Sequence, residues 1–172
     1  MCALKIAAIK NLLTFCLALV GLFSYGQDAT ALITNANITI DGNIDEEWNR
    51  VTPSSPFWEY FPSDTLLAKQ QTRVKFLYDN ENIYVLIEAD TKDNNFITPT
   101  LRRDFSSRNS DSVTLVLDTF NDGTNAFLFG TNPEGVQREA LISNGGNNFP
   151  RDFNRSWDVK WQVEVAKTAN GY

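Results

Sequence analysis

Residues 73–90, RVKFLYDNENIYVLIEAD, decide the fold class of this chain. Val74, Phe76 and Tyr78 share one parity in the first part of this stretch, and apolar side chains again recur at every second position from residue 83 onward. Such alternation is typical of a strand with one buried face. The polar letters DNEN between the two runs supply a turn, so residues 73–90 predict a β-hairpin.

The same two-residue period continues outside this hairpin. Further strands are predicted at residues 38–40, 112–118, 126–131, 136–143 and 157–165. The turn Asn121-Asp122-Gly123 joins two of them into a second hairpin, because Gly and Asn tolerate the positive φ that a tight reversal needs. Residues 44–48 predict one helical turn, whereas residues 53–71 and 144–154 predict loops.

This pattern predicts an all-β fold. Short strands joined by hairpins indicate an antiparallel β-sandwich, of the jelly-roll or immunoglobulin-like kind, because a single sheet would leave its second apolar face exposed to water. The sequence ends with Asn170-Gly171-Tyr172, a turn followed by one aromatic side chain, which is how another strand would begin. We therefore expect a sandwich that lacks its last strand through truncation.

Residues 1–26 predict a secretory signal peptide. Two lysines precede an apolar run of about 12 residues, and Ser24 and Gly26 place small side chains at positions −3 and −1 of a cleavage site. The mature chain would then begin at Gln27 and form a single domain, residues 27–172. We expect export to the periplasm, the outer membrane or the extracellular space.

The composition excludes several classes of function. The chain has no histidine, so histidine-based catalytic sets and imidazole metal sites are excluded. Both cysteines lie within residues 1–26, so the mature domain cannot contain a disulfide. Loss of those residues leaves 13 basic against 21 acidic side chains. This acidic balance argues against nucleic acid and anionic membranes as partners, because phosphate groups would be repelled.

Five short motifs follow one another along the mature chain. They are IDGNIDEEW at residues 40–48, VKFLYD at 74–79, IYV at 83–85, DSVTLVLD at 111–118 and WDVKW at 157–161. Their order and spacing resemble the family 9 carbohydrate-binding module over residues 38–172. Residues 118–137 are similar, more narrowly, to the form of that module at the front of exported Gram-negative proteins whose remainder looks like an outer-membrane β-barrel.

The resemblance implies non-catalytic carbohydrate binding, linked to polysaccharide catabolism or uptake. The implied partners are a polysaccharide or oligosaccharide and a C-terminal membrane barrel of the same full-length protein; no organic cofactor is implied. Two alternatives stay open. The domain could be a structural or interaction domain that packs on the barrel without binding sugar. It could also be part of a glycoside hydrolase whose catalytic region lies beyond Tyr172, although no pair of carboxylates stands out in the sequence.

Sugar binding needs flat aromatic rings beside groups that can bond hydroxyls. Members of the family hold a terminal sugar between two tryptophans, one of them three residues after an asparagine. Asn154 and Trp157 reproduce that spacing, and Trp58 lies where the second tryptophan would come. Arg102 and Arg103 could also bond sugar hydroxyls with their planar guanidinium groups.

Each of these side chains also has a structural interpretation. Trp157 shares the parity of the core positions in its strand, and Trp58 could belong to a flap over one end of the sandwich. The two arginines could instead pair with Asp104 or Asp111. Trp48 and Trp161 are assigned to the core.

The resemblance further implies that calcium supports the loops. Oxygen ligands within one turn are offered by Asp118, Asn121, Asp122 and Asn125. The turn explains these residues equally well without a metal, and both interpretations stay open.

Overall fold

The computed structural model describes residues 28–63, 65–93 and 95–172, and the predicted signal peptide lies outside them. The strands are β1 (Ala31–Ile33), β2 (Thr72–Tyr78), β3 (Ile83–Ala89), β4 (Val113–Leu117), β5 (Ala126–Thr131), β6 (Gln137–Ile142) and β7 (Phe153–Asn154). Short 3₁₀ helices cover Glu46–Arg50 and Asn144–Gly146. No helix in these ranges is long and apolar enough to span a membrane.

The strands form two sheets, which confirms the predicted all-β sandwich. The first sheet has the order β1-β2-β3 and the second has the order β4-β5-β6-β7. Both predicted hairpins are present, as β2–β3 and β4–β5. One pair departs from the antiparallel expectation, because β1 runs parallel to β2. The predicted helical turn also occurs, shifted by about one half turn toward the C-terminus.

The core of the first sheet lies under one face of β2 and β3. Leu77 is fully buried there and packs with Ile38, Trp48 and Val51, which come from the segment before the sheet. Partly buried neighbours on this cluster are Leu32, Tyr84 and Leu86. Lys75 holds the 3₁₀ helix in place, since its Nζ donates a hydrogen bond to the Trp48 carbonyl at 3.0 Å. The assignment of Trp48 to the core is confirmed.

Two predicted strands are wrong. Residues 38–40 form no strand; Ile38 is buried as an isolated anchor against the first sheet instead. Residues 157–165 show the predicted alternation of partly buried and exposed positions, but they join no ladder of backbone hydrogen bonds. At Trp161 the carbonyl accepts from the Gln137 Nε2 group at 3.0 Å, so a side chain stands where a neighbouring strand would donate.

The last residues reach from the second sheet to the first. Ala166 lies against Gly42, whose φ of +82° and missing Cβ permit the close approach. Farther along, Tyr172 exchanges two backbone hydrogen bonds with Ala89, at 2.8 and 3.1 Å, at the end of β3. Burial, assisted by the negative charge of Asp111, raises the pKa of Tyr172 to about 12. This segment therefore ties the two sheets together.

Candidate functional site

One face of the second sheet carries aromatic rings beside polar groups. Strand pairing places Leu117, Phe127, Leu141 and Asn154 in one row across the sheet, and Leu115, Phe129 and Glu139 in the next. Residues that lie directly opposite one another point to the same face. Phe127 and Phe129 therefore lie in the middle of this face, with Glu139 and Asn154 on the side of β6 and β7.

Two tryptophans cover these phenylalanines. The Trp157 ring lies 5.4 Å from Phe127 and 6.0 Å from Phe129, measured between ring centroids. Trp161 lies 5.4 Å from Phe129. A fifth ring, Phe120, is 6.4 Å from Phe127 and 68% exposed. We call these five rings the aromatic stripe. Trp157 is partly buried by its neighbours. One part of its ring therefore packs on the sheet, and only the remaining part can contact a ligand.

The spacing between Asn154 and Trp157 has a local structural cause. The Asn154 Oδ1 atom accepts a hydrogen bond from the Ser156 backbone N–H at 3.1 Å. This Asx turn bends the chain just after β7 and directs it over the stripe. Asn154 is exposed, and its Nδ2 group has no hydrogen bond among the described residues. The structure therefore places Asn154 in the same cross-strand row as Phe127, on which Trp157 packs, and it leaves one donor of the asparagine open to solvent.

A buried carboxylate anchors the stripe from below. The Glu139 side chain is 2% exposed and pairs with Arg103, whose Nη2 also donates to Asp158 at 3.0 Å. On its other oxygen Glu139 accepts from the Trp161 indole N–H at 3.3 Å. The hydrogen bond with Glu139 raises the pKa of Arg103 further above its ordinary value. We call these four residues the Arg103 hub.

The hub changes the interpretation of the arginine pair. Arg103 pairs with Glu139 and Asp158 and not with the predicted Asp104 or Asp111. The Asp111 carboxylate accepts from the Ile97 N–H instead, at 2.7 Å. Arg102 is exposed and forms no ion pair within the described parts of the chain. Between the two predicted arginines, only Arg102 keeps a guanidinium that is not committed to an acid.

A hollow of about 420 Å³ opens beside Trp161. The residues that line it include Ile40, Gln137, Gln162 and Glu164. Because sequence reasoning assigned Trp161 to the core, it did not predict this hollow. The alternation of residues 157–165 nevertheless shows exposed polar residues on either side of Trp161. A second hollow, of about 270 Å³, lies by the turn between β2 and β3 and has no tryptophan in its lining.

The loop that leads into β7 is organised around Asp152, which is 1% exposed. Its carboxylate accepts from the backbone N–H and Nδ2 of Asn148 at 2.8 and 3.0 Å, and from Asn144 and Arg151 at 3.4 and 3.3 Å. Burial alone would raise the pKa of Asp152, but these hydrogen bonds outweigh it and hold the pKa below its ordinary value. The loop positions Asn154 for the turn described above.

Trp58 lies in a different part of the molecule. We call residues 57–63 and 65–68 the arm; within it Trp58 and Leu67 form an antiparallel bridge. Trp58 is 60% exposed. Among the described residues nothing joins Trp58 to Trp157 or to the arginines, so the structure does not bring the two predicted tryptophans together.

The predicted calcium turn is satisfied by its own donors. Asp118 accepts from the N–H groups of Asp122 and Gly123 at 3.3 and 2.8 Å. The Asp122 carboxylate accepts from the Asn125 side chain and from the backbone of Thr124 and Asn125, and these bonds keep its pKa well below the usual range. In the described ranges no three acidic, histidine or cysteine side chains cluster as metal ligands. The turn needs no ion, and calcium at this position stays a prediction.

Comparison with known proteins adds one finding. The family model described as "Carbohydrate family 9 binding domain-like" matches residues 40–172. No curated protein and no solved structure matches the chain.

Proposed function

We propose, since this chain belongs to the carbohydrate family 9 binding domain-like family, that it binds carbohydrate without cleaving it and does so along the aromatic stripe. The family match supports carbohydrate binding for the domain as a whole. The position of the site on the second sheet is our own proposal. The link to polysaccharide catabolism or uptake is likewise our proposal, and so is a membrane barrel as partner.

One observation carries the proposal: indole rings and hydrogen-bonding side chains lie side by side on one face of the second sheet. A pyranose offers an apolar C–H surface that packs on a flat ring, and its hydroxyls need donors and acceptors at the ring edge. Asn154 forms the turn that leads to Trp157, and Gln137 and Gln162 line the hollow beside Trp161. Each tryptophan of the stripe therefore has polar groups within the same short segment.

The charge distribution favours a neutral glycan. The chain has a formal net charge of −6, and Asp158 and Glu164 are exposed beside the two tryptophans. An acidic polysaccharide would be repelled by these carboxylates, whereas uncharged hydroxyls can donate to them. The buried carboxylate in this region, Glu139, is neutralised by Arg103. A binding role without catalysis fits this arrangement.

We place this binding outside the cytoplasm. The support is the sequence pattern of residues 1–26, a basic start, an apolar run and small residues at the cleavage position. Cleavage before Gln27 would release the domain with all residues of the stripe intact.

The test replaces the Trp157 ring. Trp157→Ala is expected to weaken binding of neutral oligosaccharides at least tenfold, about 1 to 3 kcal/mol, measured by isothermal titration calorimetry across a glycan panel. The same change should lower stability by about 2 kcal/mol, because the ring packs on Phe127 and Phe129. If that variant does not fold, Trp157→Phe gives the same comparison with a smaller loss of packing.

Asn154→Asp separates binding from folding. An aspartate keeps the oxygen that accepts from Ser156, and it removes the Nδ2 donor that is free for a ligand. Affinity should fall while the unfolding transition stays in place. Asn49→Asp makes the same change of charge on an exposed residue of the 3₁₀ helix and serves as the control. Unchanged affinity in both the Trp157 and Asn154 variants, with both folded, would remove the stripe from the site.

A further inference from the structure

We infer that Arg138 and Arg155 form a second binding site, on the face of the second sheet opposite the aromatic stripe, for a singly charged oxyanion carried by a polysaccharide. Such an anion is the carboxylate of a uronic acid or a sulfate ester. The polysaccharide as carrier rests on the proposed function, whereas the oxyanion is argued from the two arginines themselves. We call these two residues the cationic pair.

Strand pairing places Arg138 on the face that the stripe does not use. It precedes Glu139 on β6, and successive side chains of a strand point to opposite faces of the sheet. Arg138 lies opposite Gly130 of β5, and Gly130 lies opposite Thr114 of β4. Asp158, whose carboxylate disfavours an acidic glycan at the stripe, belongs to the Arg103 hub on the other face. The two faces can therefore differ in the charge of the ligand that they accept.

The Arg138 side chain is held in a defined position. Its stem passes over Gly130, where a Cβ atom would lie 2.9 Å from the arginine Cγ and 3.2 Å from its Cδ. The missing side chain of the glycine therefore makes room for the stem. Farther out, the central guanidinium carbon lies 5.7 Å from the ring centroid of Phe105, which is buried. Contact with this ring supports the planar guanidinium and so orients its donors.

No acid neutralises this arginine. Arg138 is partly buried, and its side chain forms no ion pair and no hydrogen bond within the described residues. Burial lowers the pKa of Arg138 below its ordinary value, the positive charge of Arg155 lowers it further, and the negative charge of Asp104 offsets only part of this. By contrast, Arg73 and Arg103 both have carboxylate partners. A cation that has lost water without gaining a partner is costly, and a bound anion would offset this cost.

Arg155 supplies the second cation. It follows directly after β7, the strand that neighbours β6 in the sheet. Phe153, two residues earlier, lies opposite Ile142 of β6, which is on the same face as Arg138. Arg155 is exposed and forms no ion pair in the part of the chain that the structure describes. Its guanidinium is therefore available to an anion that Arg138 holds.

The local charges favour an anion with a single charge. Arg138 and Arg155 carry two positive charges and Asp104 carries one negative charge, which leaves one positive charge to be neutralised. A carboxylate or a sulfate ester has one negative charge and offers two oxygens to a planar guanidinium. A phosphate monoester carries about 1.5 to 2 negative charges at neutral pH and would leave an excess. The exposed Thr114 hydroxyl, in the same row as Arg138, can bond a sugar hydroxyl next to the anion.

The experiment measures binding of three soluble probes by calorimetry: an oligogalacturonate, a sulfated galactan oligosaccharide and a neutral cello-oligosaccharide. The first two distinguish a carboxylate from a sulfate ester as the anion. Arg138→Met and Arg155→Gln should each weaken binding of the acidic probe about tenfold or more, because each removes a charge-assisted donor. Affinity for the neutral probe should stay unchanged. High salt should weaken binding of the acidic probe in the wild type and leave the neutral probe unaffected.

The stability of Arg138→Met separates a binding role from a structural one. Methionine keeps an unbranched stem over Gly130 and removes a partly buried charge that has no partner. The urea midpoint should therefore stay the same or rise, whereas removal of a structural cation would lower it. If this variant does not fold, Arg155→Gln decides, since Arg155 is exposed and lies outside the strands.

Lys69→Gln is the matched control, because it removes one positive charge from an exposed position before β2 and should leave all three affinities unchanged. Wild-type affinity for the acidic probe in both arginine variants would overturn the inference. So would a loss of acidic binding in Trp157→Ala alone, since the anion would then bind at the stripe. Binding of the neutral probe without either acidic probe refutes the cationic pair alone. Arginine-dependent acidic binding without neutral binding refutes the stripe as a site for neutral glycans and leaves the cationic pair standing.

Discussion

The aromatic stripe and the arm hold their rings in opposite ways. In the stripe, Trp157 and Trp161 pack on phenylalanines at 5.4 to 6.0 Å, and the Arg103 hub fastens the segment that carries them. In the arm, Trp58 and Tyr60 face solvent, and the fastening is done by backbone pairs and the Gln71 amide. A packed ring is rigid but offers only part of its surface to a ligand. An exposed ring offers more surface and contributes little to stability.

The largest expected effect comes from breaking the hub. Arg103→Ala leaves the Glu139 carboxylate, 2% exposed, without its cation. We expect a loss of about 2 kcal/mol in the free energy of unfolding, which is less than the loss of about 3 to 5 kcal/mol for fully buried pairs because the guanidinium is itself 45% exposed. Urea denaturation measures it. Sugar affinity at the stripe should fall with it, since Asp158 and Trp161 lose their support.

Arg102→Ala is the matched control for this change. The neighbouring arginine is exposed and forms no ion pair within the described residues, so its removal should alter stability by less than about 0.5 kcal/mol. Equal losses in the two variants would show that the hub does not stabilise the stripe.

A smaller effect is expected at the base of the arm. Gln71→Glu replaces the Nε2 donor with an oxygen that faces the carbonyls of Phe57 and Ala68. The expected loss is about 1 kcal/mol, with faster hydrogen exchange at the Glu59 and Ala68 amides, which bond across the arm. The stripe should keep its protection. Gln70→Glu makes the same change on the exposed neighbour and should leave those amides as they are.

The smallest expected effect is a difference between the stripe and the arm in their response to low pH. Because the folded pKa of Asp152 lies below the value of about 3.9 in an unfolded chain, its contribution is present above that pH and is lost as the pH falls below it. The indole N–H signals of Trp157 and Trp161 should therefore shift before that of Trp58 as the pH falls below about 3.9, in two-dimensional NMR spectra. Asp152→Asn should abolish this order; if the order persists in the variant, another group is responsible.

Much of the fold could be predicted from the sequence, because alternation locates the strands. It did not give the buried face of β2, where Leu77 is fully buried and Tyr78, on the predicted face, is exposed. The predicted strand at residues 126–131 coincides with β5. Residues 157–165 show the limit of such reasoning. Their alternation correctly predicted partial burial, but a period of two does not reveal whether another backbone lies within hydrogen-bonding distance. The Trp161 carbonyl accepts its hydrogen bond from the Gln137 side chain, and no local sequence pattern predicts this contact.

Less of the candidate site than of the fold could be predicted from the sequence. The spacing of Asn154 and Trp157 could be recognised, since it is set by a turn within three residues. The partners of Arg103 are 36 and 55 residues away in sequence, and only the tertiary fold selects them among many acids. The arm was predicted as part of a loop because three prolines interrupt residues 53–71, and its pairing depends on Gln71.

These sequence separations bear on the order in which the molecule assembles. The Gln71 amide reaches carbonyls 3 and 14 residues away, so the arm can form soon after its own segment is available. The Arg103 hub must bring together residues 55 positions apart, and closing such long loops is entropically costly and slow. We expect the hub to close among the last steps of folding. In a newly made chain, the arm would then be folded before the Arg103 hub forms its contacts with the segment that carries the two tryptophans of the stripe.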